Sequence, residues 1–262
     1  MPASLVRIDR HDGGLVAEFV LDRPDALNAV STDMAVAIAE AATELTTDSV
    51  VRCVVLTSTH PKAFCVGADL KERNGFTDAQ LMVQRPVARR AYQGVMNLPM
   101  PAIAAVDGFA LGGGFELALA CDLIVAGAGA VVGLPEVSVG VIPAGGGTQN
   151  LVRRVGRAKA ADLIFTARRL SAPDALEFGA VDRVVEAGTA RDAALELART
   201  IARHSPVGLR NAKMALRRGA DTDLATGLEV EDAAWRATAF SGDRREGVAA
   251  FAEKRTPNWP GA

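Results

Sequence analysis

The sequence predicts an α/β fold, in which strands and helices alternate through the first half of the chain before helix takes over. Three observations carry that prediction. Apolar, β-branched runs recur at VRCVVLTS (51–58), AIAAV (102–106) and DLIVAG (122–127). Helix start signals stand between them, with Ser31 and Thr77 placed as N-caps. The order strand, loop, helix then repeats, as crossover connections in a layered sheet require.

Taken in order, residues 5–10 and 15–21 read as two strands joined across HDGG at 11–14. LDRPDALNAVS leads to Ser31 and a helix over 32–46. Residues 51–58 form a strand, and HPKAFCVGADL reads as a loop with an unusually apolar middle. Thr77 opens a helix to about Asn97, and Pro86 limits how far back its regular part extends. Pro99 and Pro101 precede the strand at 102–106. DGFALGGG turns into a helix over 113–120, and DLIVAG follows as a strand. After VGLPEVSVGVIPAGGG the remainder reads as nearly all helix, with one brief strand at 182–185 and a TPNWPG tail.

Composition narrows the function classes. At 262 residues the chain suits one large domain, or a core with an appendage. Cys53, Cys65 and Cys121 match no zinc or CxxC spacing and read as reduced core residues, which points to a cytoplasmic setting. Twenty-nine basic and 31 acidic side chains give a formal charge of −2, which supplies no global pull toward nucleic acid or anionic membrane. The most apolar stretch, about 102–132, is cut by Asp107, Glu116 and Asp122 and is not a membrane span. Arg7, Asp9, Arg10 and Asp12 arrive too early for a secretory leader.

The most informative segment is GFALGGGFELALACD at 108–122. No lysine and hydroxyl follow its glycines, so it is not a Walker A loop, and no GK[ST] follows Gly145–Gly147 either. Glycines opening a helix permit close backbone approach and leave unpaired N–H groups, which can receive charge developing on a carbonyl oxygen. Glu116 stands within one turn of those donors. Tight helix packing alone is the competing explanation. His11, His60 and His204 fit no metal motif, and Ser58 and Ser205 lack a nucleophile elbow.

Five segments carry a family resemblance: LDRPDALNA (21–29), AFCVGADLKER (63–73), DGFALGGGFELALACD (107–122), LPEVSVGVIPAGGGTQ (134–149) and FAEKRTPNW (251–259). In that order they resemble the enoyl-CoA hydratases of the crotonase superfamily, over essentially the whole chain. CVGADLKER, LPMPAIAAVDG, LIFTARRL and ATGLEVEDA are similar to the methylglutaconyl-CoA hydratase group. The resemblance implies a crotonase-like spiral core of ββα units over 1–200 and a helical trimerisation region over 201–262. It implies hydration of a 2-enoyl-CoA, with coenzyme A carried by the substrate and no separate cofactor or metal. It places the oxyanion donors on the main chain of Ala68 and Gly113, and the acid/base pair on Glu116 and Glu136. The loop Val66, Gly67, Ala68, Asp69 and Leu70 would run along CoA, with Phe251 and Lys254 as further nucleotide contacts. The expected assembly is a homotrimer or a dimer of trimers.

Departures from the family wording are mild: Val66 before GAD, Phe115 in the glycine helix and Asn150 after GTQ. The alternatives are an enoyl-CoA isomerase, a specialised acyl-CoA dehydratase, or a CoA-ester or RNA-binding homologue with little catalysis. Arg85, Arg89 and Arg90 are the only local basic patch behind the RNA reading, and a solvated face or CoA contact explains them better. Residues shaping the acyl end are expected partly between Lys71 and Tyr92.

Overall fold

The computed structural model describes residues 4–262. β1 (Val6–His11) turns into β2 (Val16–Leu21), and Ser31 caps α1 (Thr32–Thr47) by accepting from the Met34 N–H. β3 (Cys53–Ser58) and the three-residue β4 (Ala63–Cys65) lead to a short α2 (Leu70–Asn74) and a long α3 (Asp78–Met96). β5 (Ala102–Val106) and β6 (Phe109–Leu111) precede α4 (Gly113–Ala120). β7 (Leu123–Gly127) and β8 (Val131–Gly133) lead to α5 (Gly147–Val155) and α6 (Arg157–Thr166). β9 (Arg169–Ser171), α7 (Ala172–Phe178), β10 (Arg183–Val185) and α8 (Ala190–Ala202) complete the layered core. α9 (Pro206–Gly219), α10 (Leu224–Ala239) and α11 (Gly242–Glu253) form the helical C-terminal region.

The strands make two sheets. The larger has the order β1-β2-β3-β5-β7-β10 and is parallel from β2 onward. A parallel sheet must be covered on both faces, and side chains alternate between them. Val16, Cys53, Val55, Ile103 and Val125 meet Ala194, Leu195 and Ala198 of α8 on one side. Ala17, Phe19, Val54, Leu56 and Ala104 meet Met34 and Ile38 of α1, with Phe115 and Leu117 of α4, on the other. The smaller sheet has the order β4-β6-β8-β9.

Five expectations are corrected here. Ala63–Cys65 is a strand and not a loop, and Phe109–Leu111 is a strand within what read as a turn. β8 and β9 are further strands in stretches read as loop or helix. α3 runs unbroken through Pro86, opened by a capping box between Thr77 and Gln80. The carbonyl that Pro86 leaves without a helical partner belongs to Met82, whose residue is 71 % exposed, so water satisfies it at little cost.

α9 is tied to the core by the buried Lys213, whose Nζ donates to the Met100 carbonyl at 2.7 Å and pairs with Asp122 at 2.6 Å. α10 and α11 pack on α9, and the tail is held where Asp243 accepts from Gly261 N–H at 2.7 Å. No helix among the described residues is long and apolar enough to cross a membrane.

Candidate active site

The small sheet brings three distant segments to one place. β4, β6 and β8 are parallel neighbours, with Cys65 beside Ala110 and Leu111 beside Gly133. Each strand therefore releases its following loop at the same edge: Val66–Ala68, Gly112–Gly113 and Leu134–Glu136. Neighbouring strands stand about 4.8 Å apart, so the backbone groups just beyond their ends are within reach of one small group.

The first loop is held open by its own hydrogen bonds. Val30 N–H donates to the Gly67 carbonyl at 2.7 Å, and Asp69 N–H donates to the Val30 carbonyl at 3.1 Å. The Ala68 N–H between them has no acceptor among the described residues. Gly67 has φ +91, and a Cβ there would stand 3.0 Å from the Gly113 nitrogen. The Gly113 N–H, in the first turn of α4, likewise has no acceptor among the described residues. Two donors thus stand free on adjacent strand ends, as an oxyanion requires.

The triple glycine now has a physical account. Gly112 sits at φ 54 and ψ −127, a conformation open only to glycine, and its N–H donates to the Gly133 carbonyl at 2.9 Å. A Cβ on Gly114 would collide with the Cys65 carbonyl. A Cβ on Gly113 would collide with the Tyr92 hydroxyl and stand 3.5 Å from the Gly67 Cα.

Two carboxylates face this edge. Glu116, on α4, is 3 % exposed, and its Oε1 accepts from Gly145 N–H and Gly147 N–H at 2.7 Å each. Burial raises its pKa, and those backbone donors work against the rise. Glu136 opens a single helical turn after Pro135, beside Gly112, where a Cβ would stand 3.3 Å from its Oε1. Its Oε2 is buried without a partner among the described residues. Burial, with the charge of Glu116 adding to it, pushes Glu136 up to about 7. The pair can therefore hold and exchange a proton near neutral pH.

Other residues take structural places. The Asp69 carboxylate caps α2 by accepting from Lys71 and Glu72 N–H, and pairs with Arg23 at 2.7 Å. Val66 and Ala68 are partly exposed, Gly67 is buried and Leu70 is exposed at the rim. Phe251 is 87 % exposed on α11, and Lys254 ends that helix in a left-handed conformation. α11 packs on α9 and α10, away from α4. Within the basic patch, Arg85 donates to the Ala144 carbonyl at 2.7 Å and so props the loop that grips Glu116, while Arg89 and Arg90 are exposed. The three thiols are free and buried, and burial pushes each up to about 12.

Sequence reasoning missed Tyr92 as a site residue. It is the chain's sole tyrosine, 6 % exposed on α3, with its ring against Gly145 and its hydroxyl over Gly113. A single aromatic within a helical apolar stripe reads as core, and no local signal separates it from one.

Comparisons with known proteins identify the family. A model of the enoyl-CoA hydratase/isomerase family matches residues 12–262. The mitochondrial methylglutaconyl-CoA hydratase of Mus musculus is 42 % identical over 245 residues, covering 92 % of this chain and 78 % of its own. The mitochondrial enoyl-CoA hydratase domain-containing protein 2 of Homo sapiens is also 42 % identical, over 250 residues, covering 94 % and 86 %. The crystal structure of an enoyl-CoA hydratase from Bacillus anthracis superposes with a TM-score of 0.95 at 40 % identity, covering 98 % of this chain and all of that one. Equal identity to two differently named relatives leaves them undivided at the level of a subgroup.

Proposed function

The chain belongs to the enoyl-CoA hydratase/isomerase family, and from that premise we propose that it adds water syn across the C2–C3 double bond of a short 2-enoyl-CoA thioester. It is an enzyme of the enoyl-CoA hydratase type, a lyase acting on a CoA thioester. The observation that carries the finer reading is the pair of unpartnered N–H groups, Ala68 and Gly113, on adjacent strand ends facing Glu116 and Glu136.

In this mechanism the thioester oxygen accepts from both N–H groups, which polarises the enoyl system. Donors of this kind are typically worth about 2.7–4 kcal/mol each. Water bonds through oxygen to C3 and gives up a proton, while a proton is delivered to C2 on the same face. Glu136 is the principal acid/base group, since a pKa of about 7 suits a proton carrier at neutral pH. Glu116, fixed by Gly145 and Gly147, orients the water and shares the proton. CoA runs along Val66–Leu70 and meets main-chain groups there, because the Asp69 side chain is already committed. Phe251 and Lys254 reach the nucleotide from an adjacent subunit in a trimer or a dimer of trimers. Exposed Leu216, Leu224, Trp235, Phe240 and Phe251 support such an assembly. The sequence wording favours a methylglutaconyl-type acyl group among short ones.

The test is turnover of crotonyl-CoA and 3-methylglutaconyl-CoA, followed by loss of conjugated thioester absorbance and by product mass, with Glu136→Gln in parallel. A water adduct that the variant does not form supports hydration. Unchanged mass with a displaced double bond replaces it with isomerisation.

A further inference from the structure

LDRPDALNA, at 21–29, has no task in the chemistry above. Its residue Asn28 is fully buried and holds a left-handed φ of 55, next to Leu27 at φ 51. Asparagine takes that backbone more readily than most residues with a Cβ. The side chain is wholly committed to its neighbours. Oδ1 accepts from the Arg23 N–H at 2.7 Å, and Nδ2 donates to Ser58 Oγ at 2.6 Å and to the Phe64 carbonyl at 3.0 Å. A buried, fully bonded amide has no donor left for a substrate, so its effect on the reaction passes through another group.

That group is the loop carrying the first oxyanion donor. The turn at 27–30 binds every residue from Phe64 to Asp69 except Ala68. Beyond the Phe64 bond, Cys65 Sγ donates to the Asn28 carbonyl at 3.0 Å, and Val66 N–H donates to the Leu27 carbonyl at 3.3 Å. Val30 N–H donates to the Gly67 carbonyl and the Val30 carbonyl accepts from Asp69 N–H, which pairs Val30 with Ala68 as a parallel bridge. In such a pairing, successive residues direct their N–H and C=O groups to opposite edges. Val30 occupies one edge through Gly67 and Asp69, so the Ala68 N–H is turned to the other, away from the turn. Arg23 fastens both sides of this clamp, donating to the Ala29 carbonyl and to the Asp69 carboxylate at 2.7 Å each.

We infer that Asn28 is a positioning residue for hydration: its amide locks the 27–30 turn onto the 64–69 loop and thereby aims the Ala68 N–H at the thioester oxygen. The inference rests on the hydratase reading and extends it to a residue that touches no reacting atom. A donor's contribution depends steeply on its placement, since a shift of about 1 Å can cost about a hundredfold in rate. Losing the amide therefore weakens polarisation of the thioester more than its binding, because the Gly113 donor and both glutamates keep their own supports.

The experiment follows the carbonyl stretch of bound butyryl-CoA, isotopically labelled at its carbonyl carbon, by infrared difference spectroscopy. This saturated ester cannot be hydrated, so the bound state persists. The proteins are wild type, Asn28→Gly, Asn28→Asp, Ser58→Ala and Lys213→Met. Glycine keeps the left-handed backbone without the amide, whereas aspartate keeps the shape and sets a carboxylate oxygen against the Phe64 carbonyl. Ser58→Ala removes one of the two acceptors of Nδ2. Lys213→Met is the stability control, since it breaks buried bonds to Met100 and Asp122 beyond the far end of α4.

Wild type is expected to lower the stretch on binding, and both Asn28 variants to lose about half of that shift, as removal of one donor in two implies. On crotonyl-CoA their kcat falls about a hundredfold while KM changes by less than about threefold. Ser58→Ala moves both readings the same way by less, and Lys213→Met lowers the melting temperature with the full shift retained. A full shift in the Asn28 variants, with rates that follow only their folded fraction, overturns the inference. If neither Asn28 variant folds, Ser58→Ala decides: partial loss of the shift upholds it and a full shift overturns it. An unshifted carbonyl in wild type overturns the donor pair and this inference together. A shifted carbonyl without turnover of crotonyl-CoA removes only the hydratase reading, and the shift still decides the role of Asn28.

Discussion

Replacing Glu136 with glutamine should stabilise the protein as the pH rises while sharply lowering its turnover. The carboxyl titrates near 7 in the folded chain against a reference of 4.5. Below 4.5 both states hold the proton and the group contributes no penalty. Between 4.5 and 7 the unfolded chain releases the proton and the folded chain keeps it, so raising the pH favours unfolding. Above 7 the penalty is complete; solvent reaches the half-buried carboxyl and screens it, which leaves about 1–2 kcal/mol. Glutamine does not titrate, so its stability lacks that decline. It also leaves a buried polar atom where Oε2 now lacks a partner, but that offset does not vary with pH. Urea unfolding of both proteins at pH 4.5, 6 and 8, at one protomer concentration, should give a stability difference that widens by about 1–2 kcal/mol across the series. The same variant should lose about 10²–10⁴ in turnover. A stability difference that stays flat with pH refutes the reasoning, since Glu136 would then titrate as a solvated carboxylate.

Three further outcomes follow from the same geometry. Gly114→Ala drives a Cβ into the Cys65 carbonyl and should destabilise by about 2 kcal/mol or more, read as a lowered melting temperature. Arg85→Ala frees the Ala144 carbonyl and loosens the loop gripping Glu116, so kcat/KM should fall about tenfold with little change in stability; an unchanged rate would show the loop holds without it. With thiols buried and raised to about 12, Cys53, Cys65 and Cys121 should resist a thiol-specific reagent in the native protein and all react in denaturant. Rapid native labelling of Cys65 would mean that the β4 edge opens.

Much of the architecture was legible because its signals are local. Ser31 and Thr77 cap the helices that follow them, and the long strands β3, β5 and β7 carry their β-branched apolar character in sequence. The glycine turn before Glu116 announced a helix start with free N–H groups, and it is one. Pro86 misled because the cost of an interior proline depends on whether the deserted carbonyl meets water, and that exposure is a tertiary fact. β4, β6, β8 and β9 were illegible because three residues are too few to show a period of two. They are strands only because they lie beside one another.

That pairing is what the site depends on. The chemical parts are written in the chain: two glycine-bearing loops, two glutamates and the backbone freedom at Gly112. The sequence could not determine that β4, β6 and β8 run parallel in one register, which releases Ala68, Gly113 and Glu136 at a common edge. Nor could it reveal that Tyr92 reaches across from α3 to the Gly113 turn. Local preferences act over a few residues, whereas register and the sharing of one cavity are fixed by contacts between segments tens of residues apart.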